Sequence, residues 1–235
     1  MSSPLFSPAT PTDRRGFFKR AGLGVGVVAA ATALQACDSN DDDDDGGMAS
    51  APIALDFSTD VGVLNYAYAL EQLEAAFYAS VVGNAAFAST FNADEQAILR
   101  DLAKHEAIHA AFLKTAIGAV GTPIRDLTPN FGAIDFTSRA SVLGTALTFE
   151  DLGVGAYNGA GRFIASDAYL TVAGKIVSVE ARHASVVAGL LSPNAIAGSG
   201  VIDANGLDRA LAPSAVLTAA APFVMDAISA TNVPA

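Results

Sequence analysis

The chain has 235 residues, of which 51% are hydrophobic and 16% charged, with one cysteine, three histidines and no tryptophan. Its formal net charge of −11 makes it a poor ligand for the phosphate backbone of nucleic acids, so we expect no nucleic-acid partner. The single cysteine excludes an internal disulfide framework, and the length suits one domain with appendages.

The N-terminal segment, residues 1–37, has the pattern of an export signal. Residues 12–19 resemble the twin-arginine signal of bacteria, whose arginine pair would be Arg14 and Arg15. The apolar run that follows, over about residues 21–33, is shorter than the roughly 20 residues that a membrane-spanning helix needs. We therefore predict export by the twin-arginine route to the periplasm or cell envelope.

Residues 34–37 resemble a lipobox, although Gln35 is an unusual residue there, and predict a lipid on Cys37. The protein would then be anchored to a membrane through that lipid. Residues 38–55 contain five consecutive acids, which repel one another and cannot be buried. We predict a disordered acidic tether there.

A four-helix bundle is predicted over residues 56–192. The first helix begins after Ser58 or Thr59, either of which can cap it, and runs to about Val82. The second begins after Asn92, which heads a capping-box sequence, and runs to about Ile117. A long connection without helical periodicity follows, as in bundles with one crossover between helices 2 and 3.

The third helix is predicted over about residues 138–164 and the fourth from about Asp167 to Leu191. The third contains five glycines, which lower helix propensity and suggest close helix approach or a kink. The C-terminal extension, residues 193–235, could form one or two short helices divided by Pro213 and Pro222. We expect its apolar residues to cover one end of the bundle.

Two copies of a Glu-x-x-His pattern suggest the chemistry. Glu106 and His109 lie in the second predicted helix, and Glu180 and His183 lie in the fourth. Residues three apart share one helix face, and in both copies the rest of that face is apolar. A carboxylate and an imidazole in an apolar core are costly unless they are paired or bind metal. Two such pairs are half of a two-metal site in a four-helix bundle, which needs one Glu from each other helix.

The third helix offers Glu150, with Tyr157 seven residues later. The first helix offers Glu71 and Glu74, and Tyr78 lies seven residues after Glu71. The two halves then look like a weak duplication: an acid, a Tyr at plus seven, then Glu-x-x-His. This favours Glu71, but spacing alone leaves Glu74 open, and the other acid could support a ligand from behind. The tyrosines could hydrogen-bond to ligand carboxylates or pass electrons, or be ordinary core residues.

The predicted ligands are four carboxylates and two imidazoles: Glu71, Glu106, His109, Glu150, Glu180 and His183. Four ionised carboxylates would balance two divalent cations and could not stay buried without them. Oxygen and imidazole ligands suit iron or manganese, and zinc less well. The remaining histidine, His105, is predicted to be a solvated residue on the outer side of its helix.

Several stretches resemble the ferritin-like superfamily of di-iron carboxylate proteins, and more narrowly the ferritin-like domain family that includes plant desiccation-related proteins. They are residues 70–78, 105–109, 149–151 and 179–183, and residues 207–223 resemble that family's C-terminal extension. The resemblance implies an all-α, ferritin-like four-helix bundle with two iron ions. It also implies a role in desiccation or oxidative stress.

Three functions are compatible with these patterns. The first is a di-iron enzyme of ferroxidase or peroxidase type, in which Glu106 and Glu180 bridge two ferrous ions that react with dioxygen or peroxide. The second is a non-catalytic stress or envelope protein with a structural or vestigial metal site. The third is a storage cage, which the tether and the extension disfavour, although a homodimer is compatible with both. We take the first as the leading hypothesis and leave open whether the chain is an enzyme.

Overall fold

The computed structural model describes residues 51–193, 195 and 201–233, which belong to one compact unit, Ser50–Ala235. The predicted export signal, the predicted lipidation site Cys37 and most of the predicted tether lie outside these residues. Residues 53–55, which we expected in the tether, instead form most of strand β1 (Ile53–Asp56). No helix in the described part of the chain is long and apolar enough to cross a membrane.

The prediction of an all-helical bundle is confirmed. The helices in chain order are α1 (Asp60–Gly83), the one-turn α2 (Phe87–Thr90), α3 (Ala93–Gly118), α4 (Arg139–Ala160), α5 (Asp167–Leu191) and α6 (Pro213–Ala220). Each long helix begins at a side chain that accepts a hydrogen bond from a backbone N–H of the first turn: Thr59, Asn92, Ser138 and Ser166. At α3 the bond is reciprocated by Glu95, which completes the predicted capping box.

The third long helix, α4, ends earlier than we expected. It stops at Ala160, and a 3₁₀ turn (Gly161–Phe163) follows. The carboxylate of Asp60 then accepts hydrogen bonds from the backbone N–H groups of Ala165 (2.7 Å) and Ser166 (3.0 Å). This carboxylate, from the first turn of α1, holds the connection to α5 in a non-helical conformation.

The long connection between α3 and α4 lies along α1, because polar side chains of α1 bind its backbone. Asn65 donates to the carbonyl of Thr122 (3.0 Å) and accepts from the N–H of Ile124 (2.8 Å). Gln72 accepts from the N–H of Leu127 (2.8 Å). These bonds satisfy backbone groups that have no partner in a helix or sheet.

The bundle consists of two helix pairs, since α1 packs mainly on α3 and α4 packs mainly on α5. This pairing is typical of two helical hairpins joined by a long crossover. Phe77 of α1 and Phe149 of α4 pack edge to face, with ring centroids 5.2 Å apart. Phe223 of the C-terminal extension packs on Phe149 in the same way, at 4.7 Å. The extension is therefore part of the core.

The extension also crosses α4 at its glycines. The N–H of Leu211 donates to the carbonyl of Gly155 (2.9 Å), and a Cβ at Gly159 would overlap the carbonyl oxygen of Leu211. At these two positions the close approach is to the extension rather than to another helix. Leu207, which we expected to cover the bundle, is exposed. A two-stranded parallel sheet, in which Ile228–Thr231 (β2) pairs with β1, ends the described chain and was not predicted.

Gly159→Ala is expected to lower the free energy of unfolding by about 2 kcal/mol or more, because the added methyl group must displace the backbone of Leu211. Gly144→Ala is the matched control in the same helix, since its Cβ would have no atom within 4 Å. It should raise stability by about 0.5–1 kcal/mol through helix propensity. Urea unfolding followed by circular dichroism measures both changes. Similar effects of the two variants would contradict the close contact.

Candidate metal centre

The six residues predicted as metal ligands meet inside the bundle and form one cluster. Each long helix contributes one Glu, and α3 and α5 each add a His: Glu71, Glu106, His109, Glu150, Glu180 and His183. The four carboxylates and His183 are buried, and His109 is mostly buried. Their proximity is a property of the fold, and their role as ligands stays a prediction.

These residues form two overlapping groups of four, and within each group the potential ligand atoms all lie within 4.8 Å of one another. Position I consists of Glu71, Glu106, His109 and Glu180, and position II consists of Glu106, Glu150, Glu180 and His183. Two positions that share two carboxylates are the arrangement expected for a bridged pair of ions.

The oxygens of the two shared carboxylates divide between the positions. Oε2 of Glu106 lies 3.4 Å from Nδ1 of His109, and Oε1 lies 2.7 Å from Nδ1 of His183. Glu180 divides in the same way, with Oε1 2.9 Å from His109 and Oε2 3.6 Å from His183. A bridging carboxylate has this disposition, because it offers one oxygen to each ion.

The hydrogen bonding of these atoms tests whether a metal fits. Both oxygens of Glu106 and Glu180, one oxygen each of Glu71 and Glu150, and Nδ1 of both cluster histidines are buried without a hydrogen-bond partner among the described residues. Buried polar atoms that lack hydrogen bonds are destabilising, and buried carboxylates also need compensating positive charge. Here they lie close together but are not oriented to bond to one another, as ligands of a common cation would be. The residues present therefore fit a pair of metal ions.

Each tyrosine hydrogen-bonds to a cluster acid on the other helix pair. Tyr78 of α1 donates to Oε1 of Glu150, and Tyr157 of α4 donates to Oε1 of Glu71, both at 2.5 Å. The second oxygen of each acid is left without a hydrogen bond. Glu71 and Glu150 each belong to one position only and are the terminal carboxylates of the site. Each therefore has one oxygen held by a tyrosine and one oxygen available to a metal ion.

Burial and charge shift the acidities in the metal-free cluster. Burial raises the pKa of Glu71 well above its ordinary value and that of Glu150 to about 8. Burial acts in the same direction on Glu106, but contacts with the two histidines outweigh it and lower its pKa to about 2. Burial alone would lower the pKa values of the histidines, but the carboxylates around them raise that of His109 to about 12 and that of His183 to about 11. Without metal, two imidazolium ions supply the compensating positive charge.

Glu74, the alternative to Glu71, is buried but belongs to neither group. A Cβ at Gly153 of α4 would lie 3.0 Å from Oε1 of Glu74. Gly153 follows Glu150 by three residues, as Glu74 follows Glu71, so Gly153 and Glu74 occupy equivalent positions in the two halves of the duplicated pattern. They face each other, and only Glu74 has a side chain. Burial, and then repulsion by the cluster carboxylates, raise the pKa of Glu74 well above its ordinary value. The geometry places Glu71 in the cluster and Glu74 beside it.

His105 is the residue of this site that the sequence analysis missed. It is exposed, as we expected, but its Nδ1 lies 2.9 Å from Nε2 of His183 and the two rings stack with centroids 5.2 Å apart. Both rings, and that of His109, line an open groove of about 530 Å³ between α3 and α5. The chain has only three histidines, and all of them lie here. That rarity is a signal that could have drawn attention to His105.

Tyr78→Phe and Tyr157→Phe are each expected to weaken metal binding at one position by about tenfold to a hundredfold, because each removes the hydrogen bond that orients a terminal carboxylate. The first should act on position II and the second on position I. Titration calorimetry with Mn²⁺ measures the two affinities. Tyr66→Phe is the matched control, since this buried hydroxyl of α1 has no hydrogen-bond partner among the described residues. A uniform loss at both positions in either variant would contradict the assignment.

Four long helices around two overlapping carboxylate–histidine groups are typical of helical-bundle proteins that bind metal ions in the core of the bundle. The chain matches the family model of the ferritin-like domain over residues 59–193, more than half of its length. It therefore belongs to the ferritin-like domain family, and the recognition of a ferritin-like protein from its sequence is confirmed. Family and cluster together support a ferritin-like metal protein. No curated protein matches the chain.

Proposed function

We propose that this chain is a two-iron, ferritin-like oxidoreductase of the cell envelope that oxidises ferrous iron with dioxygen or hydrogen peroxide. The observation that carries the proposal is the pair of positions that share Glu106 and Glu180, with ligand atoms that are buried and lack hydrogen bonds among the described residues. Oxygen-rich positions with one imidazole each suit iron or manganese better than zinc.

The residues of the cluster would hold and isolate the ions. Glu71 and His109 would hold one ion and Glu150 and His183 the other, and the bound pair would supply electrons to the oxidant. The shared carboxylates keep the two positions adjacent, and the tyrosine hydroxyls keep the terminal carboxylates oriented. In the peroxide reaction, the reduction of one hydrogen peroxide to two waters would take up two protons from solvent and two electrons, one from each ferrous ion as it becomes ferric.

Anaerobic titration of the metal-free chain with ferrous iron, followed by addition of oxidant, tests the proposal. We expect about two ions per chain. Dioxygen or peroxide should then be consumed as ferric absorbance appears in the near ultraviolet. Tight binding without consumption of oxidant would favour the alternative, a stress or envelope protein in which the metal has a structural role. No stoichiometric binding would refute a metal centre.

The proposed location depends on residues 1–37, which lie outside the described residues, and its support is the sequence pattern alone. Expressed in a Gram-negative bacterium, the chain is expected to incorporate labelled palmitate and to fractionate with the cell envelope. Cys37→Ser should abolish the labelling, and replacing Arg14 and Arg15 by Lys should leave the precursor in the cytoplasm. An unlabelled wild-type chain would contradict the lipid anchor.

A further inference from the structure

His105 and His183 form a pair. The ring of His183 belongs to the cluster, and the ring of His105 contacts it from outside the cluster. Nδ1 of His183 faces the cluster, 2.7 Å from Oε1 of Glu106, and its Nε2 faces Nδ1 of His105 at 2.9 Å. His105 belongs to neither ligand group. It is exposed on the groove between α3 and α5, whereas His183 is buried. His105 therefore contacts a candidate ligand without being one.

An ion at position II would determine which atoms of this pair carry protons. An imidazole binds metal through a nitrogen lone pair, so Nδ1 of His183 would carry no proton and its ring proton would be on Nε2. That N–H would donate to Nδ1 of His105, which then carries its own proton on Nε2. A hydrogen bond of this kind holds the ligand ring in one orientation and one tautomer, and it makes the ring a stronger ligand.

Position I lacks this support. The residue of α5 that corresponds to His105 is Val179, which precedes Glu180 as His105 precedes Glu106. The side chain of Val179 has no polar atom. The ion-pair contacts of His109 with described residues all involve its Nδ1, which faces Glu71, Glu106 and Glu180. The candidate ligand sets of the two positions are alike, since each has one histidine, one terminal carboxylate held by a tyrosine and the two shared carboxylates.

We propose that His105 is a positioning residue that holds His183 and makes position II the tighter of the two metal sites, so that the first ion binds there. This inference rests on the metal centre of the proposed function but not on its reaction. Loss of such a supporting group weakens metal binding by about tenfold to a hundredfold in other sites. The same change should leave position I unaffected.

Two single-position variants of the full chain separate the sites. Glu71→Ala keeps every ligand of position II, and Glu150→Ala keeps every ligand of position I. Binding of Co²⁺, followed by its visible absorption, gives the affinity of each. Adding His105→Phe should lower the affinity about tenfold or more in the Glu71→Ala chain and leave it unchanged in the Glu150→Ala chain.

Two further substitutions distinguish hydrogen bonding from simple packing in the groove. His105→Gln keeps a hydrogen-bond acceptor and should restore part of the affinity that His105→Phe loses. Ile108→Ala is the matched control, because Ile108 is an exposed side chain that lines the same groove and forms no hydrogen bond to a cluster residue. It should change neither affinity.

The tautomer itself can be observed in the zinc-loaded chain by ¹⁵N–¹H spectroscopy of the histidine rings. With both positions intact, the proton of His183 should lie on Nε2 and exchange slowly, and exchange should become fast in His105→Phe. This measurement also decides the question if a single-position variant binds too weakly. Equal losses in both backgrounds, no loss in either, or a proton of His183 on Nδ1 overturns the proposal and leaves the metal centre standing. No metal binding by the wild-type chain overturns the proposed function, and this inference with it.

Discussion

Glu106→Gln is expected to remove both metal ions, whereas Glu71→Gln removes one. Glu106 belongs to both positions and offers one oxygen to each, whereas Glu71 belongs to position I alone. A neutral amide offers an ion one oxygen and no charge, so the shared group loses ligand atoms and charge compensation together. Bound metal should fall from about two ions per chain to near zero in the first variant and to about one in the second.

Metal analysis after dialysis measures both variants, and circular dichroism verifies that they are folded. Glu95→Gln is the matched control, because Glu95 is also a buried acid of α3 but caps that helix and pairs with Arg139. It should keep its full metal content. If Glu106→Gln retained one ion at full affinity, the bridging assignment would be wrong.

Metal removal is expected to lower the melting temperature by on the order of 10 °C. An ion present at a hundred times its dissociation constant stabilises the folded state by about 2.7 kcal/mol per position. In a domain of this size, 1 kcal/mol shifts the melting temperature by about 2–4 °C. Thermal unfolding with and without a chelator measures the difference. A melting temperature that does not respond to chelation would contradict a buried two-metal site.

Without metal, stability is expected to fall as the pH rises. The pKa of Glu150 is raised by burial from 4.5 to about 8, so between these values the folded protein binds more protons than the unfolded chain. The free energy of unfolding therefore decreases across that interval and levels off above it. His183, whose pKa is raised from 6.5 to about 11 by the carboxylates around it, acts in the same direction at higher pH. Glu106 acts in the opposite direction, but only between about 2 and 4.5.

Metal affinity should have the opposite pH dependence, because binding displaces the protons of the histidines and of the terminal carboxylates. Melting temperatures of the metal-free and metal-loaded chains from about pH 5 to about pH 8 should therefore diverge. Glu150→Gln removes one of the titrating groups and should flatten the metal-free curve. A metal-free protein that became more stable over this range would contradict the raised pKa values.

The ligand candidates could be recognised from the sequence because each Glu-x-x-His pair depends on the periodicity of one helix. The same is true of the helix starts at Thr59 and Asn92, where a side chain bonds within its own first turn. The acid–tyrosine spacing was also visible, but which acid each tyrosine bonds was not. Tyr78 reaches Glu150 on another helix, so its partner depends on how α1 and α4 pack.

Three features could not be read from the sequence because they join residues that are distant along the chain. His105 meets His183 across the groove between α3 and α5, and Gly153 accommodates the carboxylate of Glu74. Strand β1 pairs with a strand at the other end of the described chain. Neither strand is long enough for an alternation of apolar and polar residues to predict it.

The sequence by itself determined the helical fold class and the two Glu-x-x-His pairs that face the interior, because these follow from local hydrogen bonding and helical periodicity. The family was recognised from the resemblance of its motifs, which the family model confirms. The tertiary structure decided the division of the candidate ligand atoms into two overlapping positions, the hydrogen bond of each tyrosine to an acid of the other helix pair, and the contact of His105 with His183. These depend on the rotation and stagger of each helix against its neighbours, which are set by side-chain packing over the whole core.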